Sequence, residues 1–174
     1  ARSAALRGHS VVVLERSRRA QGASVRNFGM VWPVGQEPGA IHDRALRTRD
    51  IWLDVAARSG IWCEPVGSLH LAYQAEEATV LREFCDRAPD RGYDVEFLSP
   101  DAVGARSQAV NGDGLLGAMW SPTELCVDPR EAIANLPAWL EQEHAVQFRF
   151  GSPVTHIDLP AVHTPCETWQ AERV

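Results

Sequence analysis

The strongest constraint on this chain is a short apolar run that ends in an acid, Val11-Val12-Val13-Leu14-Glu15, with a glycine-bearing loop soon after it. Ser10 to Leu14 suits a strand buried on both faces of a parallel sheet, because β-branched residues fit a pleated surface covered on each side. Residues 1–7 are helix formers, and Gly8 follows as a left-handed cap. A helix, a glycine, a buried strand and an acid form the second half of a βαβ unit. In a dinucleotide-binding unit such an acid follows the phosphate-binding glycines by about 20 residues and holds a ribose hydroxyl pair. Counting back that far from Glu15 passes Ala1, and no glycine of the chain replaces the motif. The strand alone supports two readings of Glu15 equally: a ribose ligand, or a surface residue closing a strand.

The loop runs from Gly22 to Gln36 and holds three glycines, Ser24, Arg26 and Asn27. Glycine lacks the Cβ that blocks close approach of backbone to a ligand. The rest of the chain alternates helix and strand. Pro38 to Ser59 reads as an amphipathic helix with Ile41, Ala45, Thr48, Trp52 and Val55 on one face. Gly67 to Tyr73 is a half-buried strand, and Ala75 to Ala88 a helix with Ala78, Leu81, Phe84, Cys85 and Ala88 inward. Glu96 to Leu98 is a strand, and Ser99-Pro100 opens a short helix. After the Asn111 to Gly114 turn and a strand over 115–120, Asp128-Pro129-Arg130-Glu131 opens another helix as a capping box. Pro137 lies inside that helix and is expected to kink it. Gln147 to Phe150 is a strand, and three short strands over 154–174 close the chain. The fold class is therefore mixed α/β.

Composition bounds the function. Hydrophobic residues are 45% and charged residues 23%, a globular balance that excludes disorder. The net charge of −6 argues against nucleic acid as a partner, since phosphate backbones select basic surfaces. The arginines at 16, 18 and 19, and at 44, 47 and 49, read as solvated faces. Cys63, Cys85, Cys126 and Cys166 show no C-x-x-C pair, so no zinc site is expected; they read as free buried thiols of a cytoplasmic protein. No apolar run reaches the length of a membrane span. No G-x-S-x-G or H-E-x-x-H motif is present, and nothing in the sequence positions a Ser/His/Asp set. His42 reads as a packed or exposed helix residue. Both ends read as cut, the first as the tail of a helix and the last as the start of a strand.

One pattern is specific. Strand-Glu15-Arg16, then Gly22-Ala23-Ser24, then Asn27-Phe28-Gly29-Met30 and Pro33, resembles the early part of the flavin-dependent amine and amino-acid oxidases. This is the D-amino-acid oxidase superfamily, which includes glycine and sarcosine oxidases. Gly67-Ser68-Leu69, Gly117-Ala118, Val127-Asp128-Pro129-Arg130 and Val146-Gln147-Phe148 with Val154 continue the resemblance over nearly the whole length. The version Arg26 to Pro33 with Gly35-Gln36 is similar to a bacterial subgroup linked to aminophosphonate breakdown.

The resemblance implies a partial FAD-binding Rossmann-like domain over 1–36 and a connecting helix region over 37–66. Part of a mixed-sheet substrate domain follows over 67–150, and a β-meander over 151–174 returns to the FAD domain. It implies FAD as cofactor, with Glu15 on the adenosine ribose, Arg16 beside the adenine and Ser24 near the pyrophosphate. Arg26, Asn27, Phe28, Gly29 and Met30 would complete the contacts, with the backbone of 27–30 along the flavin ring. A small amine or amino acid would be oxidised at its C–N carbon, the resulting imine then hydrolysing. No catalytic residue is assigned. Since the phosphate-binding glycines are absent, the chain by itself is expected to hold FAD weakly and to purify colourless. Two other readings remain: a flavin hydroxylase-type enzyme, which shares the Glu-ended strand, and a non-catalytic domain that keeps the fold.

Overall fold

In the computed structural model, which describes residues 1–174, the predicted strand–acid unit forms as α1 (Arg2–Ala5) and β1 (Val12–Glu15). Gly8 has φ +83°, the left-handed conformation expected of a residue that turns the chain out of a helix. A 3-10 turn (Gly22–Val25), β2 (Met30–Val31) and a second 3-10 turn (Pro33–Gly35) follow. Then come α2 (Ala40–Ser59), β3 (Cys63–Glu64), β4 (Ser68–Ala72), α3 (Ala75–Arg87), β5 (Glu96–Leu98) and α4 (Pro100–Arg106). β6 (Gly117–Ser121), β7 (Leu125–Val127), α5 (Pro129–His144) and β8 (Gln147–Phe150) lead to the closing strands β9 (His156–Asp158), β10 (Ala161–His163) and β11 (Thr168–Gln170). The chain is a mixed α/β fold of several small sheets and five helices, as its alternating pattern dictates.

The chain divides into two compact units: residues 1–28 with 128–174, and residues 29–127. These do not follow the four sequence-based segments. The physical reason is strand pairing: β8 lies parallel to β1, from Val12 opposite Gln147 to Glu15 opposite Phe150, so residues 128–150 fold with the N-terminal segment.

In the first unit, α5 begins where the sequence dictates. The Asp128 carboxylate accepts the backbone N–H groups of Arg130 (2.8 Å) and Glu131 (3.0 Å), and Pro129 takes the first helical position. These two hydrogen bonds hold the Asp128 carboxyl below its ordinary range. Pro137 is accommodated within the helix. The helix ends on Ala145 at φ +51°, an uncommon conformation for a residue with a Cβ. Trp139 and Leu140 carry its buried face. The strands β9, β10 and β11 form the expected antiparallel meander. The four residues of β1 are half-buried, not enclosed, because β1 has a strand neighbour on one edge only.

The second unit holds a three-stranded antiparallel sheet in the order β4-β6-β5. One side-chain cluster joins Val34, Ala88, Tyr93 and Met119, with Leu81, Phe84 and Cys85 of α3 against it. Another joins Leu98, Val103, Leu115 and Ala118, with Leu69 and Leu71 packed on it. The strand β4 is half-buried, as its alternation predicts, with only Ala72 fully enclosed. Gly67, which precedes it, has φ +68°, and an added Cβ would lie 2.5 Å from the Ser121 carbonyl oxygen. On α2 the buried side chains are His42 and Val55, while Ile41 is exposed. The helix is rotated from the face predicted through Ile41 because His42 packs on Tyr93, ring centroids 4.5 Å apart. A second sheet, β2-β7-β3, is built from strands of two or three residues. All four cysteines are free thiols; Cys63, Cys85 and Cys126 are half-buried and Cys166 is exposed. No helix is long and apolar enough to cross a membrane.

Candidate functional site

The first unit carries the strand-ending acid and the loop behind it. At the end of β1, the Ser17 N–H donates to Glu15 Oε1 at 2.7 Å. This fixes one carboxylate oxygen and leaves Oε2 without a protein donor, so it is available to accept. Arg16 is exposed beside it. From Gln21 to Phe28 eight consecutive residues are exposed. The turn among them is local: Gly22 has φ +62°, and the Asn27 side-chain amide donates to the Ser24 carbonyl at 2.8 Å. A Cβ added at Gly22 would meet nothing within 4 Å, so backbone conformation, not space, calls for glycine there. Phe28 is 93% exposed and Val25 53%. Two bulky apolar side chains with so little cover on one short loop leave their transfer free energy ungained, on the order of 1.5–3 kcal/mol each.

Of the eight residues predicted to contact a cofactor, six lie in this unit: Glu15 and Arg16 at the strand end, and Ser24, Arg26, Asn27 and Phe28 on the exposed turn. Gly29 and Met30 begin the second unit. Gly29 is buried at φ +70°, and its carbonyl accepts the Val127 N–H at 2.7 Å. Met30 pairs with Cys126 in the β2–β7 ladder and leaves its side chain 54% exposed.

These groups match the chemistry of a flavin dinucleotide. Glu15 Oε2 is an acceptor suited to a hydroxyl pair, the unpaired guanidinium of Arg26 suits phosphate, and the uncovered Phe28 and Val25 suit a flat apolar surface.

A polar network in the second unit was not legible in the sequence. Glu124 is 3% exposed. Its Oε1 accepts from the Val34 N–H (3.0 Å) and the Thr123 hydroxyl (2.8 Å), and its Oε2 from the Ser68 hydroxyl (3.0 Å). Ser68 Oγ lies 3.1 Å from His70 Nε2. Since Ser68 spends its proton on Glu124, it accepts from His70, which assigns the Nε2–H tautomer. The His70 ring stacks on Trp32 at 5.7 Å. Burial pushes the His70 pKa below its ordinary value, against the smaller opposing effect of Glu124.

Ser68, His70 and Glu124 share the composition of a hydrolytic triad but not its order. The hydroxyl lies between acid and imidazole and gives its proton to the acid, so no base activates it as a nucleophile. The network holds Val34, which lies within the predicted loop, to β4 and to the β6–β7 turn. The alternation of β4 places Ser68 and His70 on one face; their partner Glu124 lies 56 residues from Ser68 and carries no local signature. No group of three His, Cys, Asp or Glu side chains gathers in a metal-binding arrangement.

Comparison with known proteins adds to this geometry. The family model described as DAO, FAD dependent oxidoreductase, matches residues 1–173. Among solved structures, L-proline dehydrogenase from P. horikoshii superposes with a TM-score of 0.80 at 19% identity, covering 97% of this chain and 46% of that one. Glycine oxidase from Geobacillus kaustophilus gives 0.79 at 23% identity, covering 97% and 48%. L-alpha-glycerophosphate oxidase from Mycoplasma pneumoniae, whose structure has FAD bound, gives 0.72 at 21% identity, covering 90% and 44%. The chain therefore spans less than half the length of each of these structures. No curated protein sequence matches the chain.

Proposed function

Because this chain belongs to the DAO family of FAD dependent oxidoreductases, we propose that it supplies part of the FAD-binding region of an enzyme that oxidises a small amine or amino acid. The observation that carries the reading is the pairing of Glu15, at the end of a strand in a parallel pair, with the exposed loop that follows it. FAD, when bound, supplies hydride acceptance, the chemistry that oxidation of a C–N carbon needs.

What the chain's own residues contribute follows from their chemistry. Glu15 Oε2 accepts from the ribose hydroxyls, while Ser17 N–H keeps the carboxylate oriented through Oε1. Arg16 lies on the adenine side. Ser24 and Arg26 face the pyrophosphate, and Phe28 covers apolar cofactor surface and excludes water. The backbone of Asn27, Gly29 and Met30 lines the flavin, where the absence of a Cβ at Gly29 permits close approach. The names of the similar structures, a glycine oxidase and an L-proline dehydrogenase, support an amino-acid or amine substrate. Within that class we favour a substrate bearing an anionic group, and among those an aminophosphonate, on the resemblance of residues 26–36 to that subgroup. We place the protein in the cytoplasm.

The test is anaerobic flavin bleaching in the protein encoded by the gene that contains this chain, loaded with FAD and mixed with a panel of amines. Loss of flavin absorbance with glycine, N-methyl amines or aminophosphonates is expected. No bleaching by any of them overturns the substrate class.

A further inference from the structure

A cleft of about 900 Å³ opens in the first unit between the loop after β1 and the outer face of α5. Its size is that of a small-molecule site. Four arginines line it: Arg18, Arg19 and Arg26 from the loop, and Arg130 from the first turn of α5. Glu141 is the one carboxylate in the lining, and none of the four guanidiniums enters an ion pair. The chain's 17 cationic side chains are all arginine, so residue type singles out none of them; their convergence from two separate elements does. Arg130 is attracted by the Asp128 carboxylate that caps α5, whereas Arg18, Arg19 and Arg26 form no ion pair. Like charges repel, and a cation in the first turn of a helix opposes the positive end of the macrodipole. An anion in the cleft reverses the sign of both effects. The remaining lining is apolar, with Ile133 and Pro137 of α5 and the exposed ring of Phe150.

We propose that this cleft binds a small dianion of the phosphate-monoester or phosphonate type that carries a flat apolar group. The guanidiniums of Arg18, Arg19 and Arg130 take the anionic head, since their planar forks match its oxygens. The surface made by Phe150, Ile133 and Pro137 takes the apolar part. The inference does not rest on the amine-oxidising reading. Arg26 belongs also to the loop proposed to hold FAD, so the test separates the two sites.

The probe is phenyl phosphate, with inorganic phosphate as the head alone, titrated by calorimetry at low salt into the FAD-loaded protein encoded by the gene that contains this chain. Phenyl phosphate is expected to bind at least tenfold more tightly than inorganic phosphate and to weaken as salt is raised. The double variant Arg19→Gln/Arg130→Gln is expected to lose at least tenfold in affinity with an unchanged circular dichroism spectrum. Arg19→Lys/Arg130→Lys, which keeps the charge but not the planar fork, is expected to fall between the parent and the Gln variant. Glu15→Gln leaves phenyl phosphate binding as in the parent. Absence of binding to the parent protein, equal binding by the Gln variant, or a loss in Glu15→Gln as large as in the Gln variant overturns the proposal.

Discussion

The two units differ in what their central polar side chains do. In residues 29–127 the polar groups turn inward and find partners: Glu124 alone accepts three hydrogen bonds, and the Tyr93 hydroxyl donates to the Gln36 carbonyl at 2.6 Å. In residues 1–28 with 128–174, Glu15 keeps a free oxygen, four arginines line an open cleft, and Phe28 stands 93% exposed. The Glu124 network satisfies its own hydrogen bonds, and the strand-end acid and the cleft leave theirs displayed. A buried polar group without a partner costs more than the bond returns, so the first pattern is what stability selects. The second pattern lowers stability, and the proposed ligand sites rest on it.

Removing Glu124 is the most severe way to break the comparison. Glu124→Ala strands the buried Val34 N–H and takes the acceptor from the part-buried Ser68 and Thr123 hydroxyls, which keep His70 and Ser121 as neighbours, and a loss of about 2 kcal/mol in urea unfolding is expected, since an orphaned buried group costs about 1–3 kcal/mol. A loss below about 0.5 kcal/mol would show the network to be ornamental.

The His70 end of the same network predicts a pH slope. Its folded pKa lies below the ordinary 6.5, so the unfolded chain binds the proton more tightly. Stability is fully present above pH 6.5 and falls as the pH drops through that value toward the folded pKa. His70→Gln should remove this part of the slope between pH 7 and 5, and Trp32 fluorescence is a local reporter of the protonation. An unchanged slope contradicts the assignment.

Smaller effects sharpen the other side. Ala145→Gly relieves the left-handed alanine that closes α5 and should raise stability by about 1 kcal/mol. A thermal melt that does not move upward speaks against strain at this position. Phe28→Ala should change stability by less than about 0.5 kcal/mol, since the ring has little cover, yet weaken FAD binding severalfold in the encoded protein. A stability loss of core size would mean that Phe28 is packed.

What could be read from the sequence follows from how local each signal is. Ser99-Pro100 and Asp128-Pro129 mark helix starts because caps act within one turn, and both helices begin there. β8 and β5 occupy their expected residues because their flanking turns bound them. The strands β2, β3 and β7 escaped because two or three residues carry no period; they exist through pairing with one another. His42 displaced Ile41 from the inner face of α2 because Tyr93, 51 positions away, offers its ring there. At the candidate site, the strand pattern located Glu15, while the inner role of Glu124 and the convergence of Arg130 with Arg18 and Arg19 depend on long-range folding.

The division of labour between the units is tested most directly by one paired measurement on the encoded protein: FAD affinity and unfolding free energy for Glu15→Gln and Glu124→Gln together. Glu15→Gln should weaken FAD binding about 10- to 100-fold, the worth of charge-assisted hydrogen bonds to a hydroxyl pair, with unfolding unchanged. Glu124→Gln should do the reverse, losing stability while the folded protein keeps its FAD affinity. If Glu15→Gln binds FAD as tightly as the parent protein, the strand-ending acid is not a cofactor ligand and the account of the first unit is wrong.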